Sequence, residues 1–163
     1  MPIFRNILLP VDLSEVPTHL APYVKAVAQK FNARVHMVFV APSLQHYAAL
    51  YVPHPSILQI EREITDGAEK RLAEVRNGPF KEINDVALAV LKGDAAEEII
   101  RYAHQKKIDL IIMGAHTRKG LEEKRVCGSV AERVVKGVHV PVMVVSPFVR
   151  DSGGQRELMD PYV

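Results

Sequence analysis

Beyond Arg5-Asn6, the segment from Ile3 to Val11 (IFRNILLPV) is apolar without a break. A strand with one face in water alternates polar and apolar residues; a strand that does not alternate needs cover on both faces. The chain supplies such covers in turn. From Glu15 to Phe31 the apolar residues Val16, Leu20, Tyr23, Val24, Val27, Ala28 and Phe31 recur with the period of a core-facing helix. Pro17 suits a first turn. Pro22 would cost about 3 kcal/mol in a helix interior, so a kink or a late start is expected there. Arg34 to Val40 (RVHMVFV) reads as a second strand, and Pro42 to Pro55 as an irregular loop. Ile57, Ile60, Ile64, Ala68, Leu72 and Val75 mark a second amphipathic helix, stopped by Asn77-Gly78-Pro79.

The alternation continues. Asp85 to Leu91 is a third strand, and Gly93-Asp94-Ala95-Ala96-Glu97 opens a third helix with Asp94 as N-cap and Glu97 three residues on, resembling a capping box. Strand four is Asp109 to Met113, helix four runs from Ser129 to about Gly137, and strand five from Val140 to Val145. Residues 1–146 thus read as one domain. Residues 147–163 are polar and without period, a flexible tail. Five strands alternating with four helices make a doubly wound parallel α/β sheet with helices on both faces. Ligands of such sheets bind beyond the carboxyl ends of the strands, where the winding reverses. The two most site-like ends are Pro10-Val11-Asp12 and Met113-Gly114. With those strands as neighbours the order is 3-2-1-4-5, and the switch point lies between strands one and four.

Composition narrows the function. A formal net charge of +2 over 163 residues gives no basic stripe for nucleic acid. No apolar run approaches the roughly 20 residues that cross a bilayer, and the first residues lack a signal-peptide cleavage site. The single cysteine, Cys127, excludes an internal disulfide framework and fits a reducing compartment, so the expected location is the cytoplasm.

Strand four stops at Gly114, a polar and basic loop follows, and a helix starts at Gly128-Ser129. Glycines let backbone approach an anion, and a helix N-terminus turns free N–H groups and a positive dipole end toward it. The pattern points to a phosphorylated small molecule, a nucleotide above all.

These residues are similar to the universal stress protein family. The similarity is carried by Val11-Asp12-Leu13-Ser14-Glu15, Leu91-Lys92-Gly93-Asp94, Asp109 to His116, Gly128 to Val134 and His139 to Val145, in unbroken order across residues 3–146. It implies an adenine-nucleotide-binding fold, commonly dimeric through the last strand. The resemblance places base and ribose against Pro10, Val11, Asp12, Val40 and Met113, with Asp12 accepting from ribose hydroxyls. It places the phosphates against Gly114, Thr117, Gly128, Ser129 and Val130. Arg118 and Lys119 are further phosphate contacts it admits, and Lys124 and Arg125 lie in the same loop. The implied ligand is ATP or another adenine nucleotide, with or without Mg2+. The implied partner is a second copy through strand five, with neither nucleic acid nor membrane.

The family's ATP binders carry Gly-x2-Gly-x9-Gly-Ser/Thr. Here Thr117 stands at the second glycine, and ten residues separate it from Gly128. Thr117 brings a Cβ that dislikes positive φ, which disfavours tight triphosphate binding; its hydroxyl remains a donor, and Gly120 absorbs the added residue. No catalytic residue is assigned, and slow ATP hydrolysis is the most enzymatic reading. His116 lacks an evident partner for base catalysis, and His46 and His54 lack further ligands for a metal. The alternative is a family member without nucleotide that acts as a dimeric interaction module. A phospho-receiver would need an acceptor aspartate after strand three; Leu91-Lys92-Gly93 offers none, and Asp94 is better explained as a cap.

Overall fold

The computed structural model describes residues 3–13, 17–44, 55–115, 128–146, 148–150 and 156–158. Strands β1 (Asn6–Pro10), β2 (Arg34–Ala41), β3 (Val86–Lys92), β4 (Leu110–Gly114) and β5 (Val142–Val145) form one parallel sheet in the order β3-β2-β1-β4-β5. That is the winding expected from the strand ends. In register, Ile7 lies between Val35 and Leu110, and Leu8 between His36 and Ile111.

Helices α1 (Ala21–Phe31) and α2 (Pro55–Asn77) cover one face, and α3 (Ala95–Gln105) and α4 (Ser129–Gly137) the other. Right-handed crossovers force this division, because the chain moves outward through β2 and β3, then crosses back to β4 and β5. Ile7 and Leu9 share a core with Leu20, Val24, Leu72 and Val75. Leu8, Ile111 and Met113 share the other with Ile99, Tyr102, Ala131 and Val134. Ile7, Leu8, Leu9, Ile111 and Ile112 have no exposed surface, which is why the central strands carry no alternation. Each such side chain contributes about 1.5–3 kcal/mol of burial.

Asp109 fixes the two central strands at the end opposite the switch point. Its Oδ2 accepts from the backbone N–H groups of Arg5 and Asn6 at 2.8 Å each, while its own N–H donates to the Asn6 carbonyl at 2.8 Å. Sequence reading made Asp109 only the first residue of a strand.

Several expectations are corrected. The first strand is shorter than Ile3 to Val11, and Ile3 is exposed. The late start at Pro22 is real: a single 3-10 turn (Thr18–Leu20) precedes α1, and Pro22 falls in its first turn, where no hydrogen bond is lost. Tyr23 is 42% exposed and Ile60 46%, although both fit the helical period. An apolar stripe is wider than the contact its neighbours leave for it. Beyond Pro147, two short strands, Phe148–Arg150 and Arg156–Leu158, pair antiparallel where no regular structure was expected. Among the described residues, no helix is long and apolar enough to cross a membrane.

Candidate functional site

At the carboxyl edge of the sheet the chain leaves β1 through Val11, whose N–H still donates to the Val38 carbonyl at 2.9 Å. Val11 is buried, and Asp12, one residue beyond the ladder, is exposed. On the neighbouring strand Met113 is buried at 5% exposure and Gly114 half-buried. Ala115 continues the ladder, donating to the Val145 carbonyl at 2.8 Å.

The start of α4 is then seated on the end of β4. Gly128 donates its N–H to the Ala115 carbonyl at 2.7 Å. A Cβ on Gly128 would stand 3.0 Å from that oxygen, so glycine is needed here for close approach; its φ of −67° is ordinary. Its N-cap residue, Gly128, has no side chain to cap it, and the first intrahelical bond runs from Glu132 N–H to the Gly128 carbonyl at 3.0 Å. The N–H groups of Ser129, Val130 and Ala131 therefore precede the ladder, at the positive end of the helix dipole.

Pro10, Val11 and Asp12 thus end β1, Val40 lies near the end of β2, Met113 and Gly114 end β4, and Gly128, Ser129 and Val130 open α4. Pro10 and Val40 are half-buried, as are Gly128 and Val130, while Ser129 is exposed. Val40, Met113 and Val130 belong to one apolar cluster. This edge therefore offers apolar side chains, one carboxylate acceptor and backbone N–H groups that precede the helix ladder. Thr117, Arg118 and Lys119 lie outside the described residues, as do His46, His54, His116, Gly120, Lys124, Arg125 and Cys127.

Sequence reading found Asp94 as a cap but missed its second role. Its Oδ1 accepts from the Glu97 N–H at 3.0 Å, so it caps α3 as expected. Both carboxylate oxygens also accept from Arg133 of α4, at 2.8 and 3.0 Å. The Arg133 guanidinium, and then the Glu97 N–H, hold the Asp94 carboxyl below the usual carboxylate range. Gly93, before it, sits at φ +141°, where only glycine is comfortable, and donates to the Ala41 carbonyl at 3.0 Å.

Comparison with known proteins places these features. A profile described as the Universal stress protein family matches residues 3–146. Universal stress protein MJ0531 of Methanocaldococcus jannaschii is 31% identical over 144 residues, covering 88% of this chain and 82% of the relative. The solved structure of MJ0577, a universal stress protein from the same organism, superposes with a TM-score of 0.75 at 26% identity, over 88% of this chain and 96% of that one. A universal stress protein from Archaeoglobus fulgidus, solved in complex with dAMP, shares the fold at a TM-score of 0.54 and 17% identity, over 87% of this chain and 98% of that one.

Proposed function

This chain belongs to the universal stress protein family, and from that premise we propose that it binds an adenine nucleotide across the carboxyl ends of β1 and β4. In this reading it works in the cytoplasm as a homodimeric binding protein of the stress response. The observation that carries the reading is the seating of α4 on the end of β4. The Gly128–Ala115 contact brings a helix N-terminus with a glycine N-cap beside the strand end next to Asp12. Val40 and Met113 offer the base an apolar bed, Asp12 takes the ribose hydroxyls, and Gly114, Gly128, Ser129 and Val130 hold the phosphates. The relative seen with dAMP supports adenine as the base. Thr117, with Arg118 and Lys119 after it, completes the phosphate loop. A Mg2+ ion, if present, comes with the nucleotide.

Calorimetric titration with ATP, ADP and AMP tests the reading. Binding is expected, with ATP favoured over AMP by less than tenfold because Thr117 replaces a loop glycine. Asp12→Ala is expected to weaken binding about tenfold, the loss of charge-assisted hydrogen bonds worth about 1.4 kcal/mol. Unchanged affinity in the folded variant removes Asp12 from the site. Absence of binding at millimolar nucleotide favours the second reading, a dimeric interaction module, to which the altered loop also points.

The dimer rests on β5, which ends the sheet and pairs only with β4 among the described strands. Val142, Met143 and Val144 on it are half-buried. An apolar edge strand left open is an aggregation hazard, and a two-fold partner strand closes it. Sedimentation at micromolar concentration is expected to give twice the 18.2 kDa chain mass. A stable species at the single-chain mass excludes this pairing.

A further inference from the structure

We infer that Asp94 and Arg133 act as positioning residues that hold the first turn of α4 in register with the phosphates, an inference that rests on the nucleotide reading above. The described structure ties the start of α4 to the sheet edge at two places. One is the Gly128–Ala115 bond at 2.7 Å. The other is the fork from Arg133, in the second turn, to Asp94, at 2.8 and 3.0 Å. Asp94 is itself a fixed point. It caps α3 through the Glu97 N–H, and Gly93 before it is bonded to the end of β2 at the Ala41 carbonyl. A bidentate guanidinium–carboxylate pair fixes direction as well as distance. Through it, α4 is braced against the carboxyl edge where the site lies.

Stability does not require this pair. Its side chains are 49% and 44% exposed, and ion pairs so exposed contribute little to folding. The helices are already packed through Ile99, Ala131 and Val134. At the far end of α4, Ile100 fills the space where a Cβ of Gly137 would stand, so the two helices touch closely there. Without the fork, α4 stays docked at that end, while its first turn keeps only the Gly128–Ala115 bond and the packing of Ala131 and gains freedom of direction. Phosphates would feel that freedom; the nucleoside, resting on β1, β2 and β4, would not.

Charge and position make opposite predictions, which gives a clean test. Asp94→Asn removes a negative charge from the neighbourhood of the anion, so a purely electrostatic role predicts tighter ADP. Positioning predicts weaker ADP. Asparagine still caps α3, so the helix start survives the change. Wild type, Asp94→Asn, Arg133→Lys and the Asp94→Asn/Arg133→Lys double variant are titrated with ADP and with adenosine. ADP affinity is expected to fall threefold to tenfold in each single variant, with no further fall in the double, while adenosine affinity stays unchanged. Tighter or unchanged ADP in Asp94→Asn overturns the inference, as does an equal loss for adenosine. A wild type that binds neither ligand overturns the site reading, and this inference with it. A wild type that binds both, with variants unaltered, overturns this inference alone.

Discussion

Asp109→Ala is expected to destabilise the protein by about 2 kcal/mol, with a fall in Tm of roughly 4–8 °C for a chain of this size. The cost comes from two backbone donors and not from packing. Arg5 and Asn6 both point their N–H groups at one carboxylate oxygen, 2.8 Å away, and the Asn6 bond is partly shielded from water. Alanine leaves both donors without a charged acceptor, at the place where β1 enters the sheet beside β4. Water serves Arg5, whose bond is exposed, better than Asn6. The predicted loss is therefore less than two full charge-assisted bonds. Asp109→Asn keeps an oxygen in the same position without its charge and is expected to cost about half as much. Urea unfolding of the three proteins measures the series. Equal stability of wild type and Asp109→Ala would mean that solvent replaces the bracket completely.

Asp109 also marks where sequence reading reaches its limit. The central strands were legible because Ile7 to Leu9 and Leu110 to Met113 are apolar without alternation, and only a sheet covered on both faces accommodates them. The order of the strands followed from the two site-like ends. A period, however, tells which side of an element is apolar and not what stands opposite it. Tyr23 and Ile60 keep the period and still face water. Asp94 announced itself as a cap because its N–H partner is three residues away; its other partner, Arg133, is 39 residues away with no local signature. The Asp109 bracket spans 103 and 104 residues. The site divides in the same manner. Its glycines and Asp12 stand out locally, whereas the contact that seats Gly128 on Ala115 joins two separate strand and helix ends. Thr117, Arg118 and Lys119 lie between those ends, outside the described residues.

The same kind of long-range contact sets the second large effect, a loss of stability in mild acid centred on His36. This residue lies mid-strand in β2, between Leu8 and Ala87, and is 7% exposed. Its Nδ1 is 3.0 Å from the Tyr102 hydroxyl of α3 and its Nε2 3.5 Å from Asn6 Oδ1 of β1. A neutral ring satisfies both neighbours, accepting from the phenol and donating to the amide oxygen. Burial pushes the His36 pKa below its ordinary value of 6.5, and the charges of Arg34 and Lys106 push it further, against a smaller opposite pull from Asp85. Burial also raises the Tyr102 pKa, so the phenol remains a donor throughout. The sign follows from proton counting. The unfolded chain binds this proton near pH 6.5 and the folded one only at lower pH, so the unfolded state holds more protons between the two values. Stability is then full above pH 6.5 and is lost as pH falls toward the folded pKa, with a slope of at most about 1.4 kcal/mol per pH unit from this one group. Urea unfolding from about pH 8 to pH 5 is expected to show that slope in the wild type. In the double variant His36→Leu/Tyr102→Phe the His36 component disappears, while the other six of the seven histidines remain common to both proteins. Removing His36 and Tyr102 together leaves no orphaned phenol, and Asn6 Oδ1 loses only a long contact of 3.5 Å, so near pH 8 the variant should match the wild type within about 1 kcal/mol. Parallel curves down to pH 5 would show that His36 takes up its proton in the folded protein as easily as in the unfolded one. The contact with Tyr102 would then be indifferent to charge.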